Sequence, residues 1–141
     1  MIKQMPYILL ADDDPDDLDT FTCAFTRLNP NAFVETVNDG KELFELLGAC
    51  NPQELPILIL MDYKMPLITG PEILQKLASS TTYSHIPKLI WSTSERYKDI
   101  ELCRRLGADN YFKKPATSSE IDDLVRQVDM IFTIQLKNLN S

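Results

Sequence analysis

The chain has 141 residues, which fits one compact domain with one core. It is 44% apolar and 25% charged, and no apolar run approaches the roughly 20 residues that a membrane helix needs. The net charge of −7 argues against binding nucleic acid or an anionic membrane by bulk electrostatics.

Short apolar runs alternate with helical patterns along the whole chain. Tyr7-Ile8-Leu9-Leu10-Ala11 is continuous, as a strand buried on both faces would be. Asp14 is placed to cap a helix, Pro15 suits its first position, and Asp16 and Asp17 fall in its first turn. Leu18, Phe21, Phe25 and Leu28 share one face of that helix, and Asn29-Pro30-Asn31 ends it. Residues 32–37 read as a second strand. Asn38-Asp39-Gly40 turns the chain into a helix with Leu43, Leu46 and Leu47 inward. Ile57-Leu58-Ile59-Leu60-Met61 is the strongest strand signal and runs straight into Asp62.

After a loop marked by Pro66 and Gly70-Pro71 comes a helix carrying Ile73, Leu74 and Leu77. Lys88-Leu89-Ile90-Trp91 is a fourth strand, with Trp91 a core residue. The pattern predicts a helix capped by Ser94, running to about Leu106 and stopped by Gly107. Asn110-Tyr111-Phe112 is a short fifth strand. Thr117 and Glu120 have capping-box spacing before a last helix with Ile121, Leu124, Val125, Val128, Ile131 and Phe132 on one face. Five βα units with continuous apolar strands imply an α/β fold, a parallel sheet covered on both faces.

Such folds bind ligands outside the carboxyl ends of the strands. Asp12 and Asp13 follow strand 1, and Asp62 follows strand 3. Ser92, Thr93 and Ser94 follow strand 4, and Lys113, Lys114 and Pro115 follow strand 5. The fold thus gathers three carboxylates, hydroxyls and an ammonium at one end of the sheet. Grouped carboxylates repel one another unless a cation joins them, and Mg²⁺ suits an all-oxygen site. A carboxylate can attack phosphorus, and Mg²⁺ plus a lysine can neutralise the transferring group.

These segments resemble the receiver domains of two-component response regulators. The matching pieces are residues 8–15, residues 60–66, Ile90-Trp91-Ser92-Thr93 and residues 107–115, which reads Gly-Ala-Asp-Asn-Tyr-Phe-Lys-Lys-Pro. The resemblance spans about Tyr7 to Phe132. It implies a flavodoxin-like (βα)5 sheet with strand order 2-1-3-4-5. It also implies that Asp62 is the phosphoacceptor, with Mg²⁺ held by Asp12, Asp13, Asp62 and the backbone carbonyl of Lys64. Lys114 would contact the phosphoryl group, Ser92 would be the switch hydroxyl, with Thr93 or Ser94 as substitutes, and Tyr111 the aromatic switch residue. The resemblance further implies a cis Lys114–Pro115 peptide. Lys64 departs from the neutral residue often found there, and its side chain is expected to obstruct water that would hydrolyse the phosphoryl group.

The implied function is a phosphorelay receiver. A sensor histidine kinase or phosphotransfer protein would donate from a phosphohistidine, and a downstream protein would read the result. Its catalysis would be limited to its own phosphorylation and dephosphorylation. Two alternatives stand beside it: a receiver-like binding module that is never phosphorylated, and a phosphatase using the D-x-D of Asp12-Asp13-Asp14.

The whole chain, 1–141, is expected to be one stand-alone domain with its core at 7–132 and a short tail at 133–141. Ile134, Leu136 and Leu139 of the tail are expected to extend the last helix and to pack back on the core, with homodimerisation as the other use. No basic helix-turn-helix follows, so DNA binding is not expected. The N-terminus lacks a signal peptide's apolar stretch, so a cytoplasmic address is the default. Cys23, Cys50 and Cys103 are odd in number and widely spaced, which speaks for reduced thiols, and His85 reads as a loop residue.

Overall fold

The computed structural model describes residues 5–140. Five parallel strands lie in the order β2-β1-β3-β4-β5. They are β1 (Tyr7–Ala11), β2 (Phe33–Val37), β3 (Leu58–Asp62), β4 (Lys88–Ser92) and β5 (Asn110–Lys113). The helices between and after them are α1 (Pro15–Leu28), α2 (Gly40–Ala49), α3 (Gly70–Ala78), α4 (Tyr97–Arg105) and α5 (Ser118–Leu139).

The period of two along each central strand divides the core in two. Ile8, Leu10, Leu58, Leu60, Leu89 and Trp91 face one side, where they meet Phe21 and Phe25 of α1 and Leu124, Val128 and Phe132 of α5. Leu9, Ala11, Ile59, Met61 and Ile90 face the other, against Leu43 and Leu47 of α2, Leu74 and Leu77 of α3 and Cys103 of α4. Strands buried on both faces have no polar positions to alternate, which is why they read as continuous apolar runs.

The chain leaves β1 toward β2 on one side and returns to β3 on the other. The crevice between β1 and β3 is therefore the topological switch point. Asp12 follows β1 directly, and Asp62 is the last residue of β3.

Several local expectations are corrected. α4 begins at Tyr97, not after Ser94, because Arg96 stays extended; the Ser94 hydroxyl donates to Asp99 and accepts from the Arg96 N–H in a turn ahead of the helix. The predicted capping box of α5 is only half made. Thr117 Oγ1 accepts from the Glu120 N–H, but Glu120 reaches back to the Ala116 N–H. The Lys114–Pro115 peptide is trans, the lower-energy isomer even before proline. The tail does continue α5, which runs to Leu139. Of its three apolar residues only Leu136 packs against the core, while Ile134 and Leu139 are exposed. Cys23 is exposed, Cys50 half-buried and Cys103 buried, and none is in a disulfide. Among the described residues, no helix is long and apolar enough to cross a membrane.

Candidate functional site

Each acid at the sheet end owes its position to a strand terminus. The Asp12 N–H completes the β1–β2 ladder by donating to Val37 O at 3.1 Å, which fixes the carboxylate over the switch point. Asp12 is fully buried, Asp62 nearly so, and Asp13 is exposed. A carboxylate oxygen from each of the three lies within 4.8 Å of the others. The Lys64 N–H donates to Asp62 Oδ1 at 3.3 Å, closing the turn after β3.

Gly70 starts α3 directly behind this turn. Its N–H donates to Tyr63 O at 3.0 Å, and a Cβ there would come within 2.7 Å of the Asp62 carbonyl oxygen. The glycine is thus required by close approach of two backbones.

Lys114 reaches into the cluster from the end of β5. Its ammonium lies 2.9 Å from Asp12 Oδ2 and 3.2 Å from Asp62 Oδ2. Its neighbour Lys113 points away and pairs with exposed Glu95 at 3.4 Å. The alternation of the strand thus selects Lys114 for the site, as the sequence suggested. The ammonium also lies 5.3 Å from the centroid of the Trp91 ring, close enough for a cation–π attraction.

The electrostatics are those of a site short of positive charge. Burial, and then the charge of Asp12, push the Asp62 carboxyl up to about 6. Burial also raises Asp12, against the pull of Lys114. Burial alone would depress Lys114, but Asp17, Asp12 and Asp62 more than offset it and hold the ammonium charged. Asp12 Oδ2 is buried, and its contact with Lys114 is an ion pair without hydrogen-bond alignment. Three convergent oxygen donors, one of them lacking a hydrogen bond, fit a hard divalent cation better than they fit one ammonium.

Ser92 ends β4 beside Asp62, in a register that pairs Asp62 with Trp91. Its buried hydroxyl accepts from the Ser94 N–H at 3.0 Å, whereas Thr93 is exposed. The half-buried Tyr111 donates its hydroxyl to Ser94 O at 2.9 Å. Asp14 is spent on the α1 N-cap, where it accepts from the Asp16 N–H at 2.9 Å. A D-x-D mechanism would need that second carboxylate free.

Two acids in this region were not legible as functional in the sequence. Asp17, read as a helix-dipole acid, accepts from Lys114 Nζ at 2.8 Å. Asp99, in the first turn of α4, is buried and accepts from Ser94 Oγ at 2.7 Å, Arg96 Nε at 3.0 Å and the Tyr63 hydroxyl at 3.1 Å. Ser94 and Arg96, in that order, hold the Asp99 carboxyl down to about 2. A Ser-x-x-x-x-Asp spacing carries no recognisable signal, and the Tyr63 hydroxyl meets Asp99 only after β3 and β4 pair.

The family model described as "Response regulator receiver domain" matches residues 8–126. The chain belongs to this family. Among curated relatives, the two-component response regulator ORR5 of Oryza sativa subsp. japonica is 32% identical over 123 residues, covering 87% of this chain and 88% of the rice protein. Stress response regulator protein 1 of Clavispora lusitaniae is 33% identical over 114 residues, covering 80% of this chain and 58% of the yeast protein.

Among solved structures, the phosphorylated cyanobacterial phytochrome response regulator RcpA superposes with a TM-score of 0.82 at 27% identity. That match covers 92% of this receiver and 95% of RcpA. Response regulator RPA3017, in red light signaling of R. palustris, gives 0.78 at 26% identity, covering 87% and 90%. The receiver fold and the response-regulator family are therefore established for this chain, and the strand order agrees with the sequence expectation.

Proposed function

We propose that this receiver accepts a phosphoryl group on Asp62 from a phosphohistidine donor and passes the change to a downstream protein. The reading rests on one observation above all. Lys114 Nζ lies within 3.2 Å of both Asp12 and Asp62 at the switch point, where a third carboxylate, Asp13, also converges.

Asp12, Asp13 and Asp62, with the Lys64 carbonyl, would hold Mg²⁺. When bound, the ion would supply charge neutralisation for phosphoryl oxygens. Asp62 provides the nucleophilic oxygen. As its O–P bond forms, the P–N bond of the phosphohistidine breaks and the imidazole leaves with the electron pair, taking a proton from solvent. Lys114 neutralises negative charge on the transferred group, and low exposure at Asp12 and Asp62 strengthens that attraction.

The Ser92 hydroxyl, at the end of β4 next to β3, would hydrogen-bond the new phosphate. Moving it releases the bond it accepts from Ser94, whose carbonyl in turn holds Tyr111. The β4–α4 loop is thus the two-state element that phosphorylation would bias. Donor and target are a kinase or phosphotransfer protein and a protein partner, in a cytoplasmic setting. The phosphorylated state that gives RcpA its description is the state expected here.

The test is intact-protein mass after incubation with acetyl phosphate and Mg²⁺, beside Asp62→Asn. One phosphoryl adduct that requires Mg²⁺ and disappears in the variant supports the reading. An adduct that survives in the variant moves the nucleophile to Asp12 or Asp13. No adduct from acetyl phosphate or from a phosphohistidine donor would make the chain a silent binding module.

A further inference from the structure

Lys114 is held by more than the acids that the phosphoacceptor reading uses. The shortest of its three carboxylate contacts, 2.8 Å, is to Asp17 Oδ2, 97 residues away in the first turn of α1. An ammonium has three N–H donors, and the three contacts to Asp17, Asp12 and Asp62 account for its surroundings on the acid side. Two of those acids belong to the carboxylate trio that would take a divalent cation. Asp17 does not. Nor is it an ordinary dipole acid. Its neighbour Asp16 is exposed and lends the cap only its N–H, whereas the Asp17 carboxylate is two-thirds buried against Lys114.

We propose that Asp17 is the positioning residue for Lys114, anchoring the ammonium on the α1 side of the pocket so that lysine and divalent cation share the acidic cluster instead of competing for Asp12 and Asp62. This inference rests on the phosphoacceptor reading. With Asp17 present, Lys114 keeps a full charge partner when a cation draws Asp12 and Asp62 to itself. Without it, the ammonium has only those two carboxylates to fall back on, and an incoming cation must displace it from both. Trp91 is the only tryptophan in the chain, and its ring faces the ammonium, so its emission reports where Lys114 sits.

A double-mutant cycle on Mg²⁺ affinity separates this role from a simple loss of charge. Mg²⁺ is titrated into wild type, Asp17→Asn, Lys114→Met and the double variant, following Trp91 emission and the heat of binding. Asp17→Asn is expected to weaken Mg²⁺ binding about threefold to tenfold when Lys114 is present, as befits a half-buried ion pair. In the Lys114→Met background the same change is expected to cost less than about twofold, the scale of a screened charge. Asp17→Glu, which keeps the carboxylate and the fold, should recover most of the wild-type affinity.

Equal weakening in both backgrounds would overturn the positioning role and leave Asp17 a general field charge. So would unchanged affinity in Asp17→Asn, or an Asp17→Glu variant as weak as Asp17→Asn. A wild type that binds Mg²⁺ and gains an adduct on Asp62 while the cycle is additive loses only the Asp17 role. A wild type that binds no Mg²⁺ by either readout overturns the phosphoacceptor reading and this inference together.

Discussion

The hydroxyl of Tyr63 donates to Asp99 across 3.1 Å, joining the residue next to Asp62 to the first turn of α4. Through Asp99 the link continues to Ser94, and from Ser94 to both Ser92 and Tyr111. One buried carboxylate thus ties the end of β3 to the β4–α4 loop.

Replacing Asp99 with Asn should loosen that loop. Ser94 and Arg96 hold the Asp99 carboxyl at about 2, below its unfolded value of 3.8. A depressed carboxylate contributes stability that is present above the unfolded value and is lost as pH falls through about 4 toward about 2. Wild type should therefore lose urea resistance over that window more steeply than Asp99→Asn. At pH 7 the variant should show a lower urea midpoint at unchanged m-value and faster amide exchange in residues 93–99. Parallel pH profiles for the two proteins would remove Asp99 as the holder of the loop.

Gly70→Ala should strike the turn after Asp62 from behind. The added Cβ meets the Asp62 carbonyl oxygen at 2.7 Å and Tyr63 Cα at 3.1 Å, both backbone atoms with little room to move. Overpacking of this kind costs about 1–3 kcal/mol. Because the displaced atoms belong to Asp62 and its neighbour, adduct formation should slow as well. A variant of normal stability and normal phosphorylation rate would show that the turn yields freely.

Lys64→Ala tests whether the exposed lysine after the acceptor shields the phosphoryl group from water. The Lys64 N–H already closes on Asp62 Oδ1, so its side chain starts from the rim of the site. The expected result is dephosphorylation accelerated by a few-fold up to about tenfold, worth about 1 kcal/mol in barrier. An unchanged decay of the adduct, followed by intact mass, rules the shield out.

The sequence made the sheet and the acid-lysine cluster legible for a physical reason. Strands buried on both faces must be apolar throughout, so the first polar residue after each marks the sheet end; that rule picked out Asp12, Asp62 and Ser92, whereas after β5 it reaches Lys113 first, and strand alternation with the position before Pro115 was needed to choose Lys114. Residues whose roles depend on distant partners escaped it. Asp17 and Asp99 look like first-turn helix acids because that is what they are locally. Only the 97-residue closure gives Asp17 its partner Lys114, and only the pairing of β3 with β4 brings the Tyr63 hydroxyl to Asp99. The α4 start moved for a local reason: Arg96 keeps an extended backbone, so the helix opens at Tyr97 although the Ser94 hydroxyl accepts from the Arg96 N–H at 3.3 Å.

The length of α5 bears on how much of it the fold requires. Phe132 is buried, packs edge-on to Phe25 of α1 with centroids 5.6 Å apart, and closes the first core. Phe132→Ala should cost about 3–5 kcal/mol in urea unfolding. Ile134, two residues further on, is 59% exposed, so Ile134→Ser should stay within about 0.5 kcal/mol of wild type. A large loss at Ile134 would mean that something covers this part of the helix in solution.

Divalent cation should stabilise the folded receiver, because the carboxylate trio exists only when β1 and β3 are paired. Unfolding disperses Asp12, Asp13 and Asp62 along the chain and removes the site. At a free Mg²⁺ concentration 100 times the dissociation constant, linkage gives about 2.7 kcal/mol of added stability. Chelation should remove that increment without unfolding the protein, since both hydrophobic cores are complete without the ion. Asp13→Asn makes the cleanest comparison, because Asp13 is exposed and is outside the Lys114 ion-pair set. That variant should match wild type in chelator and gain less from Mg²⁺. Equal gains for both proteins would place the cation elsewhere.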